Sequence, residues 1–144
     1  MQLTEHFSLE ELTRSDYALR HGLDNTPTEG TIENLKRLAP LLERIRTVLN
    51  RPMIIISGYR SNPVNNGVGG EPVSQHRFGC AADFFCHGIN PEDICKIIIE
   101  SGVEYDQLIQ EYDQWVHVSI PNKDLYRVRK QALRKNQDGY SNFF

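Results

Sequence analysis

Between Gly58 and Gly79 the chain places five glycines, two prolines and three asparagines, a density of turn formers that neither a helix nor a long strand tolerates. Short apolar runs stand on either side. Met53 to Ser57 (MIIIS) is rich in β-branched residues and bounded by Pro52 and Gly58, so it reads as a buried strand, and Ala81 to Cys86 (AADFFC) reads as a second. The stretch between them therefore reads as one long loop. Ordering so much irregular backbone costs conformational entropy, and loops of this length in small domains tend to carry function. The chemistry is to be sought there.

The flanking sequence supplies the rest of the architecture. Ser8 followed by Glu11 is a capping-box pattern ahead of Leu9 and Leu12, so a short helix is expected there. From about Thr28 to Leu49, Ile32, Leu35, Leu38, Leu42, Ile45 and Leu49 recur at three- and four-residue steps, the mark of one buried helical face, which Pro40 should bend or interrupt. Asn90-Pro91-Glu92 opens a further helix that Gly102 closes. Gln107 to Glu111 and Trp115 to Ile120, separated by Tyr112-Asp113-Gln114, are spaced as a tight hairpin. The segment from Tyr126 is basic and weakly periodic, and the residues from Asp138 read as frayed. Helices first and strands later argue for an α+β fold with N-terminal helices and an antiparallel sheet.

With 144 residues and 39% apolar content, residues 1–144 fit one domain whose core needs no disulfide staples. A net charge of -3 and an isoelectric point near 5.9 give no field for nucleic acid. The basic stretch Arg127, Arg129, Lys130, Arg134 and Lys135 reads as a solvated face or a protected edge strand. The longest apolar run, Met53 to Ile56, is too short for membrane insertion, and the acidic N-terminus does not resemble a secretory signal. Cys80, Cys86 and Cys95 form an odd set without CxxC spacing, so they read as buried apolar residues. His6, His21 and His87 have no partner at ligand spacing and read as surface or capping residues.

A hydrolytic zinc needs three nitrogen or carboxylate ligands and an open position for water. His76 ends the glycine-rich segment, Asp83 follows seven residues later in an apolar strand, and His117 lies between Val116 and Val118 in the second strand of the hairpin. Singly, each is as readily a loop histidine, a capping carboxylate or a hydrogen-bonded core histidine. A carboxylate in a buried strand is costly unless it is paired or bound to metal, and that tilts the reading towards a ligand set. Asp83 as the sole anion would leave bound zinc a net positive charge and a useful Lewis acid.

Four stretches, SGYRS (Ser57 to Ser61), VNNGVGG (Val64 to Gly70), SQHRFGCAADF (Ser74 to Phe84) and WVHVS (Trp115 to Ser119), resemble in order the M15 family of zinc peptidases, which includes D-Ala-D-Ala carboxypeptidases and phage endolysins. HFSLEELTRSDYA at the N-terminus and LDNTP at Leu23 to Pro27 are similar to its phage and prophage branch. The resemblance implies the fold shared by DD-peptidases and the Hedgehog signalling domain, with His76, Asp83 and His117 as zinc ligands. It also implies a peptidoglycan stem peptide as substrate and action at the bacterial cell wall, after release from the cytoplasm or as a virion component. A monomer is expected. Because the Hedgehog relative serves recognition, a zinc-stabilised, non-catalytic wall-binding module is the alternative.

Many members of the family place an acid three residues before the last histidine, where this chain has Gln114. If the hairpin pairs through a three-residue turn, Glu111 faces Trp115 and Ile109 faces His117, which sets Glu111 and His117 diagonally on one face. Glu111 is therefore the expected base and Asp113 the runner-up. Arg60 is expected to bind a substrate carboxylate or steady the oxyanion, as the resemblance assigns the SGYR arginine to this region. Ser74 and Gln75 either hydrogen-bond substrate or cap the turn before His76.

Overall fold

The structure, a computed structural model, describes residues 1–123 and 126–144. Helix α1 (Leu9–Thr13) begins where the sequence predicts, with Ser8 Oγ accepting the Glu11 N–H. A second helix, α2 (Asp16–His21), was not expected. It is capped by Ser15 and ended by Gly22. Helix α3 (Glu29–Leu49) buries Leu35, Leu38, Leu42, Ile45 and Leu49 on one face. Of the two outcomes expected at Pro40, a bend or an interruption, the interruption does not occur. The proline sits on the exposed side, where water can reach the Lys36 carbonyl that loses its helical partner, so the packed face stays continuous.

Six strands form one sheet in the order β1-β2-β4-β3-β5-β6. They are β1 (Ile54–Ser57), β2 (Ala81–Phe85), β3 (Gln107–Glu111), β4 (Trp115–Ser119), β5 (Gln131–Asn136) and β6 (Gly139–Asn142). Helix α5 (Pro91–Ser101) joins β2 to β3, capped by Asn90 and closed by Gly102 as its sequence implies. The β3–β4 hairpin has the expected register, Glu111 opposite Trp115 and Ile109 opposite His117. Three expectations about the strands need correction. β1 is an edge strand with Ile56 47% exposed and a bulge between Ile55 and Ser57, because only β2 flanks it. The sheet is mixed, since β5 lies parallel to β3. β4 ends beside the start of β3 and β5 begins beside the same end, so β5 runs in β3's direction. The C-terminal residues are not frayed: β6 pairs with β5, and buried Phe143 lies 4.0 Å beneath the Arg134 guanidinium.

Alternation along the strands separates two faces. Ala82, Phe84, Leu108, Val116, Val118 and Ala132 point into a core shared with Leu35, Leu38 and Leu42 of α3 and Ile94 and Ile98 of α5. The opposite face carries the polar residues. Cys80, Cys86 and Cys95 are buried free thiols. Burial pushes Cys80 up to about 11 and Cys95 up to about 12, so neither is a thiolate near neutral pH. Among the described residues no helix is long and apolar enough to cross a membrane.

The 58–79 segment is not one irregular loop. It contains helix α4 (Asn62–Gly67), with Pro63 in its first turn, and a 3-10 turn (Gln75–Phe78). Buried Asn65 knits the intervening glycines, its side chain donating to the Glu71 carbonyl and its own carbonyl accepting the Gly70 N–H. Gly58 is required by packing, since a Cβ there would collide with the Leu12 carbonyl. Gly79 ends the 3-10 turn at φ 75, a left-handed conformation that favours glycine.

Candidate metal centre

Sheet register places Asp83 of β2 directly opposite His117 of β4 on the polar face. His76 reaches them from the 3-10 turn, whose start is capped by Ser74 Oγ accepting the His76 N–H at 3.3 Å. The His76 ring is fixed from behind: Nδ1 lies 2.7 Å from the Gly58 carbonyl. A carbonyl only accepts, so Nδ1 carries the proton and Nε2 presents its lone pair. Hence the glycine that brings this backbone against α1 also sets the histidine tautomer.

His76 Nε2, Asp83 Oδ1 and His117 Nδ1 form a nearly regular triangle. The separations are 3.3 Å from His76 to Asp83, 3.2 Å from His76 to His117 and 3.0 Å from His117 to Asp83. The three residues are 2%, 7% and 8% exposed, respectively. His117 Nδ1 has at most one proton for two acceptors, which leaves His76 Nε2 and Asp83 Oδ1 with lone pairs apposed. A cation between the three atoms relieves that conflict. Ligands about 2.0–2.2 Å from a tetrahedral zinc stand about 3.3–3.6 Å from one another, close to the triangle seen here. Burial disfavours the imidazolium of His76 and lowers its pKa, against the pull of Asp83. Burial acts to raise Asp83, but the charge and hydrogen bonds of His76 and His117 outweigh it and hold the carboxyl well below the usual range. A neutral His76 and an ionised Asp83 are the states a metal requires.

The triad opens into a cleft of about 510 Å³ that Arg60, Ser74, Glu111 and Trp115 also line. Glu111 Oε2 accepts the Trp115 indole N–H at 2.9 Å. Burial, and then the Asp83 charge, raise the Glu111 pKa, and His117, Lys135 and the indole act in the other direction. Arg60 donates to Ser74 Oγ at 3.3 Å, and its Nε is buried with no acceptor among the described residues. Ser74 thus ties Arg60 to the turn bearing His76. The Gln75 amide nitrogen lies within 3.1 Å of Asp106 Oδ2, the Ile120 carbonyl and Asn122 Oδ1, all protein acceptors. Asp113 pairs with Gln110 in the hairpin turn, and both it and Gln114 line a neighbouring depression rather than this cleft. Tyr59 is core, whereas Trp115 lines the cleft.

A sequence model of the peptidase M15 family matches residues 5–119. The chain belongs to the peptidase M15 family. No curated protein sequence matches it. The M15 match spans the triad, Arg60 and Glu111 and ends with β4. Several cleft residues lie outside both the M15 motifs and the sequence reading of the site, Tyr112, Arg129, Lys135 and Tyr140 among them. Tyr112 is in the hairpin turn, and Arg129, Lys135 and Tyr140 follow the matched region. Pairing of β5 with β3 brings in Lys135 and pairing of β6 with β5 brings in Tyr140, and no local spacing signals either.

Proposed function

We propose that the chain is a zinc-dependent peptidase that hydrolyses peptidoglycan stem peptides at the bacterial cell wall, of the carboxypeptidase or phage-endolysin type. The observation that carries this reading is the triangle of His76 Nε2, Asp83 Oδ1 and His117 Nδ1 opening into a cleft beside Glu111. These three side chains would hold the ion, which supplies Lewis acidity to a scissile carbonyl and lowers the pKa of water. Glu111 accepts the proton of the attacking water and returns it to the leaving amine, and its raised pKa suits both halves of that exchange. Arg60, tied to the triad's turn through Ser74, steadies the negative charge on the substrate.

Gln114, where many relatives have an acid, favours the wall-binding module as the second reading. Mass spectrometry of purified peptidoglycan separates the two, by counting new amino and carboxyl ends with the metal stripped and then restored as zinc. Zinc-dependent release of ends is expected. Intact wall with protein and zinc both bound would favour the module.

A further inference from the structure

The basic C-terminal stretch resolves into two kinds of cation. Arg129 pairs with Asp106 at 2.6 Å, Lys130 with Glu104 at 3.6 Å and Arg134 with Glu92 at 2.6 Å. Arg127 lies outside the cleft. Lys135 differs from all of these. Among the described residues it forms no ion pair, and its ammonium lies 5.1 Å from the Tyr140 ring centroid and 5.8 Å from that of Tyr112. Aromatic faces attract and position a cation without neutralising it, whereas a carboxylate would cancel its charge. The nearest acid across the ladder, Glu111, accepts the Trp115 indole N–H, and it and Lys135 feel one another's charge without forming an ion pair among the described residues.

Register puts this cation on the site face. Glu111 pairs with Lys135, and Lys135 with Tyr140. Paired positions share a face, and so do positions two apart on one strand, so the site face carries Asp83 on β2, His117 on β4, Glu111 on β3, Lys135 on β5 and Tyr140 on β6, the last three displaced by two residues along the strands because His117 pairs with Ile109. Arg60, emerging after β1, stands at the other end. Strands are about 4.8 Å apart and each residue rises about 3.4 Å, so two strands across and two residues along put Lys135 about 12 Å from His117, the reach of about three to four residues of extended peptide.

We propose that Lys135, held between Tyr112 and Tyr140, is a specificity-determining residue that recognises a carboxylate on the peptide substrate about three residues from the bond at the triad. The inference rests on the peptidase reading above and adds to it a substrate class, an acidic peptide lying across the strands with its charge on the side away from Arg60. It also gives the β5–β6 hairpin, beyond the M15 match, a role in binding.

The test uses the full-length, zinc-loaded protein and two labelled pentapeptides ending in D-Ala-D-Ala. They differ only in a glutamyl carboxylate at the third residue before the final bond, free in one and amidated in the other. Cleavage, and binding by fluorescence anisotropy, are measured for the unaltered protein, Lys135→Gln and Lys135→Arg. At a pH well above the acid limb of both proteins, where Glu111 is ionised with or without the Lys135 charge, Lys135→Gln should raise KM and Kd for the free-carboxylate peptide by about tenfold, the scale of one charge-assisted contact, with kcat little changed. The amidated peptide should be unaffected, and Lys135→Arg should recover most of the loss. Equal losses on both peptides, or no loss on either, would overturn the inference. Tighter binding of the free carboxylate that Lys135→Gln abolishes, without cleavage of either peptide, would uphold recognition by Lys135 and count against the peptidase reading instead.

Discussion

Glu111 sits in opposing fields. Burial and the Asp83 charge raise its pKa, and the Trp115 indole N–H, by bonding the ionised form, acts against them. A base must be ionised to accept a proton, so the acid limb of kcat/KM should lie above the ordinary glutamate value. Trp115→Phe removes a hydrogen bond that favours the carboxylate and should move that limb to still higher pH; a limb that stays in place or moves down would dissociate Glu111 from it. Glu111→Gln should retain zinc while kcat falls on the order of 10²–10⁴-fold, and full activity in that variant would remove Glu111 as the base. The candidate residues stand out in the sequence because they are polar in apolar settings: Asp83 follows Ala82, and His117 is flanked by valines. What holds His76 was not legible. Its partner is the backbone carbonyl of Gly58, and no residue type announces a carbonyl.

Among the elements, local signals were readable where local chemistry decides. Ser8 caps α1, Asn90 and Gly102 bound α5, and the three residues from Tyr112 to Gln114 set the hairpin register that aligns Glu111 with the site face. At Pro40 tertiary packing on the other side of α3 keeps the helix uninterrupted, and local signals were misleading in the glycine-rich segment, where Asn65 and Ser74 build short helical turns. The β4–β5 connection depends on one buried carboxylate. Asp106 accepts the backbone N–H and the guanidinium of Arg129, together with the Gln75 amide. Burial acts to raise the Asp106 pKa, but the Arg129 hydrogen bonds prevail and the net shift is downward. A carboxyl with a folded pKa below its unfolded value stabilises fully above the unfolded pKa, and that stabilisation is lost as pH falls through the folded one. Asp106→Asn should therefore cost about 1–3 kcal/mol at neutral pH by urea denaturation, and the deficit should shrink below about pH 4. A deficit that persists undiminished at low pH would show that Asp106 acts by shape rather than by charge.

Across the whole molecule, one sheet separates two tasks. Its inner face closes the core with α3 and α5, and its outer face collects side chains from distant parts of the chain, Asp83 meeting His117 across 34 positions and His76 meeting it across 41. Such contacts have no periodic trace. The M15 motifs flag the residues up to β4, but the parallel strand β5 and the hairpin it forms with β6 fall beyond them, and so Lys135 read only as part of a basic run. The same long-range folding creates a second, exposed group with metal-ligand chemistry, Glu5, His6 and Glu43, far from the cleft in chain and exposure alike. The sharpest measurement is thus an anomalous difference map, recorded at the zinc edge, from crystals of the zinc-loaded full-length protein. We expect one dominant peak bound by His76 Nε2, an Asp83 oxygen and His117 Nδ1 within the cleft. A peak at Glu5, His6 and Glu43 alone, or no peak between the two histidines and Asp83, would refute the metal centre and with it the zinc-peptidase reading.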